Sequence, residues 1–462
     1  MRSKLIIVAT AAASLVLTAQ MAAADPVQEQ LRLMEQRMAE MEDRLQATSD
    51  ELRAAKATVD EQQGLLSEAG LVDGSDEGIR SSVGNFMKEI DISGVAAASY
   101  NYRFKGPGDA NNDNVGLYRH MNASTFAFDQ LWITMDKEPT EEARAGFHAD
   151  LVYGESARAH GGDRSVFDSN GISTGDSIRG DEFLLYSAYA SYLANVGSGM
   201  RIDAGRLATP LGAEVLQTNQ NFNITQGLVW GVQPVTHTGI QVSGNITDEI
   251  GLAFGVVNDV YDDTFVDDSR DKAYYGQISF STDMYGISVG AIVGKDSASE
   301  YRNEGGGTCR SGDECKTSVF NVVATADPSD AVSMWLDFTW VKAFGDDMNH
   351  KGDIHAAAIA GRWGITDSTG IAGRVEYVRT DNNFMRALGE SANTGEVMSY
   401  TVTADHALTD SMKVRLEARY DRNFSNGALF AIGSNNDGAS SNSTTGKRND
   451  QLVGLAEIYY EF

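Results

Sequence analysis

Lys413, Arg415, Glu417, Arg419 and Asp421 place a charge at every second position of one segment. Val414, Leu416, Ala418 and Tyr420 fill the gaps, so an extended strand here has one charged face and one apolar face. Arg201 and Asp203 alternate in the same way with Ile202 and Ala204, and Arg374 and Glu376 with Val375 and Tyr377. Asp337 and Thr339 are interleaved with Val332, Met334, Leu336, Phe338 and Trp340. In a packed core an unpaired charge costs several kcal/mol or more, so these ladders fit a water-filled lumen. Basic rings along a lumen favour anions and carboxylates favour cations; with both signs present the ion preference stays open. His237 shares the parity of Gln241 and Ser243 and joins the candidate pore-lining set. Arg206 has lipid-side parity, which puts it at a rim or after a bulge.

Other chemistry is sparse. Asp259, Asp262, Asp263, Asp267, Asp268 and Asp271 cluster without the spacing of a calcium loop and read as a solvated acidic segment. Cys309 and Cys315 are the only cysteines. Outside the cytoplasm such a close pair is expected to form a disulfide at a loop tip, and two thiolates fall short of a closed metal site. Ser443-Thr444-Thr445-Gly446-Lys447 lacks the full phosphate-loop pattern. No catalytic set, metal or cofactor is expected. The one enzymatic alternative is a barrel-wall hydrolase with Ser and His on its outer face.

The elements that must carry the ladders are strands. From about Glu89 onward the hydrophobic period is two, and sixteen strands can be placed, within about two. The last, Gln451–Phe462, alternates Leu452, Gly454, Ala456, Ile458, Tyr460 and Phe462 on one face against Glu457 and Glu461 on the other. Short connections such as 138–143, 247–250 and 409–411 alternate with long ones such as 155–181, 208–237, 295–316 and 425–450. That order is what an up-and-down transmembrane barrel with short periplasmic turns and long external loops requires. The expected fold is therefore all-β, a transmembrane antiparallel barrel over residues 89–462, with an even strand number returning both of its ends to the periplasm.

The N-terminal segment reads differently. Arg2 and Lys4 precede an apolar run from Leu5 to Leu17, and Ala22 and Ala24 set up cleavage before Asp25, a signal peptide over 1–24. Its removal takes the basic count from 37 to 35 against 65 acidic residues, so the net charge of −28 becomes −30. Such a charge excludes the basic footprint of a nucleic-acid binder. Within 25–69, Leu31, Met38, Leu45, Leu52, Val59 and Leu66 mark one seam of a heptad pattern, and Met34, Met41, Thr48, Ala55, Gln62 and Ala69 the other. Together they predict a periplasmic coiled coil of roughly 58 Å at ~1.5 Å per residue. Residues 70–88, rich in Gly and Ser, read as a flexible linker.

One long connection, 208–237, is unlike a free external loop. It holds Val215, Leu216, Phe222, Ile224, Leu228 and Trp230, which an inward fold narrowing the pore would bury. Glu214 and Trp230 are its candidate constriction residues. Gly205-Arg206, Thr209-Pro210, Gly212, Glu214, Pro234 and Thr236-His237-Thr238-Gly239 resemble the signature segment of the OmpL-like β-barrel porin family. Ile92-Ser93-Gly94 and Ser99-Tyr100-Asn101-Tyr102-Arg103-Phe104 resemble that family's opening strand. The resemblance implies an outer-membrane porin whose substrate is largely unassigned in the family; the expected mechanism is passive diffusion of small hydrophilic solutes through the narrowed lumen. Its partners would be outer-membrane lipid and lipopolysaccharide, with the barrel-assembly machinery during biogenesis. A coiled coil ahead of such a barrel is similar to the layout of DcaP-like trimeric porins; the seam fits a homotrimer and also permits a dimer. A plugged structural or adhesive barrel is the alternative.

Overall fold

In the computed structural model the described residues are 89–106, 114, 116–120, 122–161, 183–197, 199–261, 271–296, 315–344, 352–381, 394–424 and 450–462. The expected signal peptide, coiled coil and linker lie outside them, as do Cys309 and most of the 259–271 acidic segment. One compact unit runs from Ile90 to Phe462.

The first strands are β1 (Asp91–Lys105), β2 (Phe126–Lys137), β3 (Ala145–Tyr153), β4 (Phe183–Ala194), β5 (Met200–Ala208) and β6 (Thr236–Asn245). Next come β7 (Ile250–Val257), β8 (Ala273–Ser281), β9 (Tyr285–Asp296), β10 (Cys315–Ser329) and β11 (Val332–Phe344). The last are β12 (Gly352–Thr366), β13 (Thr369–Asp381), β14 (Thr394–Thr409), β15 (Met412–Asn423) and β16 (Asp450–Glu461). Each pairs antiparallel with its sequence neighbours, and β1 pairs with β16, so the sheet is a closed sixteen-stranded barrel. A helix the alternation did not foreshadow, α1 (Glu155–Gly161), follows β3.

Closure matters because an open sheet in an apolar medium leaves backbone groups without partners. At the seam Gly94 N donates to Phe462 O (2.9 Å) and Phe462 N donates to Gly94 O (3.0 Å). The outer face carries Leu416 (64% exposed), Trp363 (57%) and Phe254 (53%). Aliphatic and aromatic groups left this open on a closed barrel require an apolar solvent outside it.

Among the register shifts of the sheet, two alter which side chains face inward near the site. Ala97 faces Gln130 while Ala98 faces Phe128, so Asp129 is an extra residue and both Asp129 and Gln130 are buried. Opposite Asp150 and Leu151, Tyr186 is the extra residue between Ser187 and Leu185. The second strand begins at Phe126 rather than near Ala123, because Ser124 takes a φ of 58° and its N–H donates to Asn101 Oδ1 (3.0 Å).

Gly94 cannot carry a side chain at this seam: a Cβ would lie 2.3 Å from Trp132 O and 2.6 Å from the Phe462 ring. Gly94→Val is expected to destabilise the barrel by about 2 kcal/mol or more through overpacking. Heat-dependent gel mobility of the refolded barrel measures it; unchanged mobility would show that the seam tolerates the clash.

Candidate functional site

The connection 209–235, here L3, has no strands and only two 3-10 turns, Thr218–Gln220 and Trp230–Val232. A segment this irregular cannot satisfy its own backbone and needs partners where water is scarce. L3 finds them on the barrel wall, near the middle of the strands opposite it.

At one end, Gly212 N donates to Asn321 Oδ1 (3.0 Å) on β10, and Ala213 N donates to Asp337 Oδ2 (2.9 Å) on β11. Gln233, on the returning limb, donates to both oxygens of Asp337 (3.1 and 2.9 Å) and to Thr339 Oγ1 (2.7 Å). The two limbs touch there: Gly212, at φ +96°, would place a Cβ 2.3 Å from Gln233 Oε1. Gly290 on β9 plays a similar part, since a Cβ there would meet Leu211 of the loop at 2.5 Å.

The central stretch is held by the charged ladders. Arg374 donates to Glu214 and to Thr225 O (2.6 Å), and its Nε lies 3.1 Å from Glu376. Glu376 accepts from Val229 N (3.1 Å), while Glu417 accepts from Ile224 N, Thr225 N and Thr225 Oγ1. Arg415 pairs with Glu457 and donates to Asn221 O (3.0 Å); Arg419 donates to Gln226 O (2.9 Å) and pairs with Asp421. On the far side Thr218 Oγ1 donates to Glu457 (2.8 Å), and Thr218 N donates to Gln130 Oε1 (3.1 Å). Burial pushes the Glu214 carboxyl above the usual carboxylate range; the Arg374 charge opposes the rise and Glu376 adds to it.

Apolar packing completes the seating. Leu211 and Val229 join Tyr275, Ile292, Val319, Val341 and Ile354 on the inner wall. Ile224 packs with Leu117, Val453 and Leu455, which explains the apolar upper half of the inner face of the last strand. Trp230 is buried and meets Tyr118 edge-on at 4.5 Å between centroids. Leu216 and Ile224 are fully buried, whereas Val215 is 37% exposed, contrary to the expectation that every apolar group of the loop is covered.

The candidate pore-lining residues thus divide. Arg374, Glu376, Arg415, Glu417 and Arg419 point inward but lie beneath L3, at most 5% exposed, so they do not meet water as the ladder pattern suggested. They can be buried because each is paired or hydrogen-bonded there. Asp337 is buried with them. His237 is also buried, with Nε2 3.3 Å from Thr209 Oγ1. Asp203 is buried against Ser191 (2.6 Å) and Arg201. Arg201, with a quarter of its side chain exposed, bridges Asp203 and Glu138, both at 2.8 Å. Lys413 is half-buried, its Nζ 5.9 Å above the Tyr459 ring. Arg206 donates from Nε to Tyr186 O (2.9 Å), next to the β4 bulge.

Several site residues had no signal in the sequence. Arg119, from the first long connection, donates to Thr218 Oγ1 (2.7 Å) and Ile224 O. His148 bridges Asp136 (2.8 Å) and Asp150 (2.9 Å) and stacks on Tyr189. Ser99, His120 and Asp129 meet inside the wall, but Ser99 Oγ (3.1 Å) and Asp129 Oδ1 (3.3 Å) address the same His120 Nε2. A relay needs the acid on the other ring nitrogen, so this cluster is not a nucleophile–base–acid chain. Among the described residues no group of three His, Cys, Asp or Glu is placed to hold a metal ion.

The family model described as "Putative beta-barrel porin-2, OmpL-like" matches residues 89–462. This chain belongs to that family. No curated protein matches it. Among solved structures, the porin is similar to OprB of Pseudomonas putida, with a TM-score of 0.52 at 11% identity over 83% of this chain and 96% of that one. It is also similar to the outer membrane channel DcaP of Acinetobacter baumannii, with a TM-score of 0.51 at 12% identity over 81% and 97%. The trimer form of OmpT of Vibrio cholerae gives 0.51 at 12% over 81% and 99%. At these identities the likeness is one of fold.

In the porin, Arg374→Gln leaves Glu214 and Glu376 buried without their cation. Removing one partner of such a pair costs about 3–5 kcal/mol, and L3 should become open to proteolysis. Exposed Arg422→Gln should cost under about 1 kcal/mol. Guanidinium unfolding of the two variants, with limited proteolysis, checks the contrast; equal stabilities would mean that the ladder does not hold the loop.

Proposed function

We propose that this outer-membrane porin passes small hydrophilic solutes by diffusion through a lumen narrowed by L3, and that it works as a homotrimer. The observation that carries the constriction is the attachment of L3 to β10, β11, β13, β15 and β16, across the barrel from the strands it connects. The long connections then lie outside and the short turns in the periplasm. Exposed Val215 and Gln220 and half-buried Gln217 and Asn221 are among the loop surfaces left to meet solute. No transfer of bonds is involved; the protein supplies an aperture and its lining.

One observation favours a second reading, a plugged barrel. Lumen-facing groups are buried on strands all round the ring, among them Val95, Asp150, Tyr275, Asn321 and Thr403. Single-channel recording separates the two readings. Deleting 214–227 should raise the conductance of a porin at least about twofold, since the loop obstructs its pore. A wild-type barrel that never conducts, beside a deletion variant that does, would identify L3 as a plug.

The trimer reading rests on the heptad seam and symmetric assembly. Deleting residues 31–69 should lower the temperature at which the oligomer dissociates on a gel. An unchanged dissociation temperature would assign the heptad segment to spacing rather than assembly.

A further inference from the structure

The charges of the lumen are unevenly distributed. In the periplasmic half, most acidic and basic groups sit on two arcs, with Asp91 on β1 and Glu461 on β16 near the seam. On β2–β5 are Asp136, His148, Asp150, Arg201 and Asp203, bound to one another or to Glu138. On β12–β15 Arg362 pairs with Asp405 (2.6 Å), and Lys413 lies over Tyr459.

Between these arcs, the wall from β6 to β10 is different. Pairing with Asp203 sets Gln241 inward, and from there the register gives inward positions to Ser243, Gln277, Ser279 and Ser288, with Ser333 following on β11. None of these side chains is sealed: all six are half-buried. Glycines and Ala253 hold most of the intervening inward positions, and β10 adds Val323 and Thr325. In the periplasmic half of these five strands, no described inward side chain from Gly239 to Thr325 is Asp, Glu, Lys or Arg. A groove of about 480 Å³ opens at the periplasmic end of β5–β8, lined by Ser243, Gly251, Ala253, Gln277 and Ser279, with Arg201 and Asp248 at its margins. Two of the amides are already fixed: Gln241 accepts from Tyr275 Oη (2.7 Å), and Gln277 donates to Pro210 O in L3. The water-facing side of L3 is likewise uncharged, with Gln217, Gln220 and Asn221.

We infer that the solutes of this porin are uncharged and rich in hydroxyl or amide groups, and that they travel along the β6–β10 wall. The inference rests on the porin reading above. Beyond Arg201 and Asp248 at the periplasmic end, an ion on this route gives up part of its hydration and meets no opposite charge in return, whereas a polyol exchanges water for hydroxyls and amides at little cost. The β2–β5 arc has an excess of carboxylate and the β12–β15 arc an excess of cation, so the two oppose each other, and most of their groups are paired at close range. Half-buried Trp335, inward on β11 beside Ser333, adds an aromatic surface to the edge of the wall.

The test uses the full-length protein in liposomes and planar bilayers. Glucose, gluconate and glucosamine are matched in size and differ in charge, and their swelling rates should rank glucose first with no strong difference between the two ions. The reversal potential in a steep KCl gradient should lie near zero. The double variant S243D/S279D should turn the channel towards cations, whereas S243N/S279N, which adds bulk without charge, should not. A wild-type channel that conducts with strong ion selectivity overturns the inference and leaves the porin reading standing. So does an S243D/S279D channel that conducts with unchanged selectivity. A wild-type barrel that neither conducts nor swells overturns both.

Discussion

Every backbone N–H and C=O of this barrel must find a partner in a region where water is scarce. For the strands, closure of the sheet from β1 to β16 meets that demand. For L3 it does not, because an irregular segment brings its own unpaired donors and acceptors into the lumen. The wall therefore has to supply what regular structure would have supplied. Asp337, Glu376 and Glu417 take the loop's N–H groups, and Arg374, Arg415 and Arg419 give to its carbonyls.

This requirement accounts for the mixed sign of the ladder. A backbone offers donors and acceptors in equal measure, so a wall of one charge could satisfy only half of them. Alternating Arg with Glu on β13 and β15, with Glu457 of β16 opposite Arg415, answers both and neutralises the ladder along its length. Charge–charge pairing such as Arg415 with Glu457 then keeps each ion compensated under the loop. The cost of burying these ions is offset only while L3 is in place, so loop and ladder depend on each other.

Much of the architecture was legible because barrels write their rules locally. Period-two alternation placed the strands, and the order of short and long connections separated the two rims. Apolar groups such as Leu216 and Ile224 marked the third long connection as one that turns inward. What could not be read depends on distant neighbours. Nothing near Arg415 says that its partner is Glu457, and Arg119 carries no pattern at all. The bulge at Asp129 defeated alternation outright, since an extra residue puts consecutive side chains, Asp129 and Gln130, on one face. Parity could show that Glu417 and Arg419 point inward, but it could not show whether water or a loop meets them there.

The join between Gly94 and Phe462 has a kinetic meaning as well as a geometric one. It links the two extremes of the barrel: Lys105 and Asp450, 345 positions apart, make contact across the same pair of strands. Every other pairing in the ring is between sequence neighbours and can form as a hairpin grows. This last one pays a long loop-closure entropy in a single step, and until it forms two bare strand edges are available to any other extended chain. Ring formation is thus the step at which folding competes with aggregation. The small Gly94 and the Phe462 ring lying close over it make that step a close fit, favouring the chain's own last strand over a stranger's.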